Sequence, residues 1–310
     1  MQIFNPEVLS ERLGPRLIKD NSLKNLEKAE KYLTEQVVDK YKWELAYDVM
    51  ANEPPFFKTM GYTEYTGSIL FQPLTQPLRD DQIIEAYYDS DSTIIDYASY
   101  LRNKFKDKNA NKYLDRQNCF SKFPPKKCIV ALPGSNKLKD HSCISKMHHI
   151  NDKHKNNFYF KPHPLTTLKD VGELQDFFGE DRVLPRDADL YMYIAEADKV
   201  YTTHMSESAA YSFVLGKEIE PIDVHHRVHE SSFYSINRLL FRKQDEGDSV
   251  INRIFSSYKS GLINLDLELD WKKKIDKYLK YADTYRNKSL DWYIIKDHEE
   301  SNENTSPLID

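Results

Sequence analysis

Apolar residues recur at three- and four-residue spacing through residues 1–50, in "PEVLSERLGPRLI" and "NSLKNLEKAEKYLTEQVVDKYKWELAYDVM". That period predicts helices, the second one opening at the N-cap pair Asn21-Ser22. The pattern lapses over 51–67, where Pro54, Pro55, Gly61 and Gly67 read as a loop. The apolar run "SILFQPL", 68–74, predicts a strand. "DDQIIEAYY" and "STIIDYASYLRNKF" return to the helical period and end in a solvated, lysine-rich stretch at 104–112. From Lys126 the pattern changes again. Short apolar runs, "KKCIVALPG", "NFYF", "KVYTTH" and "EIEPID", alternate with the amphipathic stretches "SCISKMHHINDKH", "VGELQDFFG", "ADLYMYIAEA" and "SESAAYSFVLG". Such alternation predicts an α/β fold with a parallel sheet covered on both faces. Residues 224–295 read as helices, "WKKKIDKYLKYADTYR" among them, and no internal repeat is visible.

The division that follows has four parts. Residues 1–125 form a helix-rich N-terminal domain with one clear strand, and 126–223 a Rossmann-like domain. Residues 224–295 are helices packing back across both, and 296–310 a polar, acidic, disordered tail.

Candidate chemistry sits at the ends of two predicted strands. In "YFKPHP" two prolines stiffen the exit from a strand and hold His163 in one direction. In "VYTTHMSESAAYSFVLGK" a strand turns into a helix whose first turn holds Ser206, Glu207 and Ser208, with Thr203 or Ser206 as the N-cap. Free amides at a helix start favour an anion. Ligands of open parallel sheets bind outside the carboxyl ends of the strands, so both segments are expected to face one crevice from neighbouring strands. Taken singly, His-Pro is a turn and the serines are a cap. Together they suggest a phosphate clamp: His163 as phosphate contact or proton donor, Pro164 as its brace, and Thr203, Ser206 and Ser208 as donors opposite. Lys161 offers a second positive charge, although alternation sends it to the other strand face.

Composition narrows the classes. A hydrophobic fraction of 40% supports a sizeable core, and a net charge of −5 gives no global case for nucleic-acid binding. Cys119, Cys128 and Cys143 lack CxxC spacing and read as reduced thiols of a cytoplasmic protein. No window predicts a membrane span. Neither GxGxxG nor GxxxxGK[ST] occurs.

"FYFKPHPLTT" followed by "ADLYMYIAEADKVYTTHMSESAAYSFVLGKEIEPID" resembles the C-terminal half of bacterial capsule-polysaccharide Kdo transferases and of the sialyltransferases that share a His-Pro motif. "CIVALPGSNKLKDHS" resembles the family's preceding strand and loop, with Ser135 or Asn136 at its Gln position and Asp140 at its Asp position. The resemblance implies a GT-B-like glycosyltransferase fold and a CMP-activated keto-acid sugar donor. It implies no metal and no cofactor beyond that co-substrate. His163 would contact the donor phosphate, with Ser206, Ser208 and Ser135 nearby, and the acceptor would be a glycan.

A transferase also needs a group to take the acceptor's proton. Asp80 and Asp81, in "LRDDQI", and Glu64, in "GYTEYTG", are the candidates. The alternative for the aspartates is a helix-start charge pair. "DSD", 89–91, reads as a helix-start cluster rather than a metal motif. His225, His226 and His229 have helical metal-ligand spacing without the partners of a known site, and Arg227 or one of them could line the cleft instead. His148, His149 and His154 read as a solvated helix face. Two alternatives stay open. One is a phage-type transferase acting on modified bases of duplex DNA, with Lys104, Lys106, Lys108 and Lys112 as a basic strip. The other is a non-catalytic nucleotide- or sugar-binding protein. The sequence names neither the acceptor nor an oligomeric state.

Overall fold

The computed structural model describes residue 29 and residues 31–40, 44–45, 59–63, 68–72, 76–106, 116–134, 138–139, 141–164, 166–223 and 232–284. Two four-stranded sheets organise them. The parallel sheet is built from β4 (Cys128–Ala131), β5 (Phe158–Lys161), β6 (Lys199–Thr202) and β7 (Glu218–Pro221), in the order β5-β4-β6-β7. All three pairings are parallel, with Val130 opposite both Phe160 and Tyr201. Period-two alternation divides these strands between two cores. Cys128, Val130, Phe158, Phe160 and Tyr201 pack on one face. Ile129, Tyr159, Val200 and Ile219 pack on the other. β4 and β5 are buried along their whole length and read as near-continuous apolar runs, whereas β7 buries Ile219 and leaves Glu218 exposed.

The helices linking the parallel strands supply the two covering layers. These are α3 (His141–His154), α4 (Leu168–Phe178), α5 (Leu190–Glu196) and α6 (Ser208–Val214). Cys143, Met147 and Ile150 of α3 and Val171 and Leu174 of α4 close the first core. Tyr193 and Ile194 of α5 and Ala210, Phe213 and Val214 of α6 close the second. That second core also receives α1 (Gln76–Tyr87), α2 (Tyr97–Lys106), α7 (Ser232–Arg242) and α8 (Asp248–Ser256). Residues 271–284 are helical as well.

The N-terminal half departs from expectation. β1 (Glu44–Leu45), β2 (Thr59–Thr63) and β3 (Ser68–Gln72) join β8 (Leu262–Asn264) in a mixed sheet of order β1-β2-β3-β8. Glu44–Leu45 was expected to be helical, Thr59–Thr63 a loop, and Leu262–Asn264 part of a helical region. Each becomes a strand by pairing: Gly61 faces Leu70, and Ile263 faces Ile69. Ile69, Phe71 and Ile263 bury against Leu33 and Val37 and against Ile275, Tyr278 and Leu279. The mixed sheet therefore has a core of its own, completed by a strand from the far end of the chain.

Several polar expectations are corrected here. Asp89 of "DSD" starts no helix. It lies in the turn between α1 and α2, accepts from Ser92 Oγ and Ser257 Oγ, and faces Lys259 at 3.6 Å. The expected solvated face of α3 is partly packed: His148 meets Phe177 and Phe178, and His154 Nε2 lies 3.0 Å from Tyr201 Oη. The three cysteines are free thiols. Residues 296–310, together with Glu64, Ser135, Asn136, Asp140, Lys108, Lys112, His225, His226, Arg227 and His229, lie outside the described residues.

Candidate functional site

The chain runs from β4 to β5 on one side, then crosses back to place β6 on the other side of β4. Between β4 and β6 the crossovers diverge, which makes a topological switch point at their carboxyl ends. Four loops meet that edge of the sheet. They begin with Leu132-Pro133 after β4, Pro162-His163 after β5, Thr203-His204 after β6 and Ile222-Asp223 after β7.

His163 is half-buried, and its carbonyl accepts from Thr166 N at 2.9 Å, closing the proline-flanked turn. Pro164 is also half-buried. The turn and the Ser206 loop are not on neighbouring strands, because β4 lies between β5 and β6. At the usual strand spacing the two backbones are about 10 Å apart. One phosphate touched by both loops would have to sit over the end of β4.

Lys161 is not available to such a phosphate. It is buried, and its Nζ donates to Pro162 O at 2.6 Å and Arg186 O at 2.9 Å. Burial, and then the neighbouring Arg116 guanidinium, pushes its ammonium down to about 7. Arg116 Nη1 donates to the same Arg186 carbonyl at 2.9 Å. Lys161 thus ties the exit of β5 to the 185–188 segment rather than offering charge to a ligand.

The serines are also partly committed. Ser208 is buried, with its Oγ 2.7 Å from both Thr202 Oγ1 and Ser206 Oγ. Ser206 Oγ accepts from Ser208 N at 3.2 Å, while Glu207 stands at the formal N-cap without a side-chain cap bond. Thr203 is buried, and its carbonyl accepts from Ser206 N at 3.1 Å. The loop holds itself together with the hydroxyls expected to face an anion. Ser206, half-buried, is the one of the three nearest the surface.

Asp80 forms an ion pair with Arg238 of α7. Asp81, on the exposed side of α1, has its carboxyl raised by partial desolvation and by the charges of Asp80 and Glu85. Asn237, next to Arg238, donates from Nδ2 to His204 O at 2.7 Å and Ser206 O at 2.8 Å. Through adjacent residues, α7 therefore connects Asp80 to the loop after β6.

That loop also holds His204, which no sequence pattern singles out. His204 Nδ1 lies 2.7 Å from Asp223 Oδ1, and His204 N donates to Asp223 Oδ1 and Oδ2 at 3.0 and 3.2 Å. Tyr234 stacks on the imidazole with centroids 4.9 Å apart, and Phe241 meets it nearly edge-on at 5.0 Å. Tyr234, Asn237 and Phe241 fall at i, i+3 and i+7 on α7, one helical face. The one signal for this in the sequence is that His204 and Asp223 are each the last residue of a predicted strand. Among the described residues no group of three His, Cys, Asp or Glu side chains is placed to hold a metal ion, and no helix is long and apolar enough to cross a membrane.

The fold is thus α/β, with a four-stranded parallel sheet whose switch-point edge carries His163, Ser206 and the His204–Asp223 pair. No family model and no curated protein matches the chain. Among solved structures, a protein assigned as a UDP-N-acetylglucosamine 2-epimerase from Listeria monocytogenes aligns at 8% identity and TM-score 0.29, covering 47% of this chain and 46% of that one. MnaA from S. aureus, solved with UDP, aligns at 12% identity and TM-score 0.33, covering 64% of this chain and 55% of that one. The chain spans about half the length of each.

Proposed function

We infer that the protein is a GT-B-like glycosyltransferase whose donor nucleotide lies at the carboxyl ends of β4 and β6. The observation that carries this reading is the strand order, which opens a crevice between β4 and β6 with His163 at one flank and Ser206 at the other. The resemblance of "FYFKPHPLTT" supplies the sugar class: a CMP-activated keto-acid sugar, transferred without a metal to a glycan. His163 is the residue for the donor phosphate, held by its turn. The acceptor side is assigned to the mixed sheet and to α1, which carries Asp80 and Asp81.

Calorimetry of the full chain against CMP, UDP and their sugars tests the crevice. Binding of CMP or its sugar is expected, and failure to bind any nucleotide overturns the reading. His163→Ala lowers transfer by ~100-fold or more if the imidazole protonates the leaving phosphate. Undiminished transfer by that variant removes His163 from the mechanism.

A further inference from the structure

We propose that His204 is the acid–base residue of the switch-point crevice and that Asp223 is its positioning residue. The proposal rests on the glycosyltransferase reading above but concerns groups that reading does not use. Asp223 holds the loop twice over, through the backbone amide of His204 and through Nδ1. A carboxylate accepts only, so Nδ1 carries the proton, and the neutral tautomer compatible with that bond has a bare Nε2. Nε2 makes no hydrogen bond among the described residues, while the side chain keeps 10% of its surface exposed. Tyr234 and Phe241 fix the ring plane from α7, and Asn237 fixes the loop backbone beneath it. An imidazole needed for packing alone would not need one nitrogen tethered and the other left open.

A second observation points to a ligand here. Both Asn237 Nδ2 hydrogens are used on His204 O and Ser206 O, so the amide cannot flip, yet its buried Oδ1 has no partner among the described residues. A buried acceptor with no donor is costly, and a hydroxyl of bound substrate would satisfy it.

In the proposed step the acceptor oxygen bonds to the anomeric carbon of the donor sugar. The bond from that carbon to the phosphate oxygen breaks, and its electron pair leaves with the nucleotide phosphate. The acceptor's proton passes to His204 Nε2, and the imidazolium so formed is stabilised by Asp223.

The test uses the full chain, wild type, His204→Gln and Asp223→Asn. Calorimetry reads CMP and UDP binding. Nucleotide release from a CMP-linked keto-acid sugar and from UDP-N-acetylglucosamine, with water as acceptor, reads turnover. Imidazole nitrogen NMR reads the tautomer. For His204→Gln, nucleotide binding within about twofold of wild type and a kcat lowered ~100-fold at near-constant KM are expected. In wild type, the Nδ1–H tautomer is expected, and Asp223→Asn loses both that tautomer and turnover. Undiminished turnover in His204→Gln overturns the proposal. So does an Nε2–H tautomer in wild type, or a folded His204→Gln that loses nucleotide binding along with turnover. If wild type binds neither nucleotide, the glycosyltransferase reading fails, and the role of His204 fails with it. If wild type binds a nucleotide but His204→Gln turns over normally, only the role of His204 fails.

Discussion

Replacing Lys161 by Met should change how stability responds to pH. Lys161 is buried, and its ammonium titrates near 7 in the fold against 10.5 when free. Between those values the unfolded chain holds a proton that the folded chain has released, so stability must rise with pH. The full span of the shift, at about 1.4 kcal/mol per unit, amounts to roughly 5 kcal/mol. Much of it lies above pH 9, where Cys128, raised to about 12 by burial, begins to oppose it. From pH 6 to about 8.5 the Lys161 contribution alone comes to about 2 kcal/mol. Urea unfolding across that interval, followed by circular dichroism, reads it. Lys161→Met removes the titrating group but also the donor to Pro162 O and one of the two donors to Arg186 O, so its stability at any single pH carries a separate cost. The difference in pH slope between wild type and variant isolates the titration. Parallel slopes would show that Lys161 stays charged in the fold, and would return it to the list of candidate phosphate ligands.

Other outcomes follow from single contacts. Glu268 Oε1 accepts from Tyr97 Oη, from Asn264 N at 2.8 Å and from Lys274 Nζ at 2.9 Å, in a site almost closed to water. Glu268→Ala should cost about 3–5 kcal/mol in urea unfolding, because it strands a buried ammonium, whereas Glu268→Gln with Lys274→Met should recover most of the loss. Equal losses in the two would refute the ion-pair account. Gly261→Ala should cost about 1–3 kcal/mol, since φ is +72° and a Cβ would sit 3.0 Å from Phe71 O and the Tyr278 ring; a shift in melting temperature under about 2 °C would contradict it. Ser208→Ala should cost about 1–2 kcal/mol if its hydroxyl serves the Thr202–Ser206 chain, and a neutral result would mean that it faces the crevice instead.

The parallel half was legible because β4 and β5 are short, fully buried apolar runs closed by Pro133-Gly134 and Pro162, and because Gly216 ends the helix before β7. The mixed sheet was not. "TMGYT" carries a glycine and two threonines, and it becomes a strand through the partner opposite Gly61 and Met60. "LIN" has three residues, too few for any period to show, and its pairing partner β3 lies far away in the chain. At the site, loop positions could be read but strand order could not. Nothing local says that β4 separates β5 from β6, which is why His163 and Ser206 seemed nearer than they are. The His204–Asp223 pair is illegible in the sequence for a related reason: the two are 19 residues apart, and the β6–β7 pairing brings them together.

The placement of β8 bears on how the chain is made. β3 pairs with Leu262–Asn264 on one edge, and Phe71 O receives the Tyr278 hydroxyl from 207 residues away. As the chain leaves the ribosome, the parallel sheet can assemble once residue 221 has emerged, but the N-terminal sheet still has an open edge on β3. Exposed edges recruit other strands, and contacts this distant in sequence form late. A nonsense change or proteolytic cut before residue 262 would therefore leave the earliest-synthesised sheet unfinished, although every residue of the parallel sheet would be present.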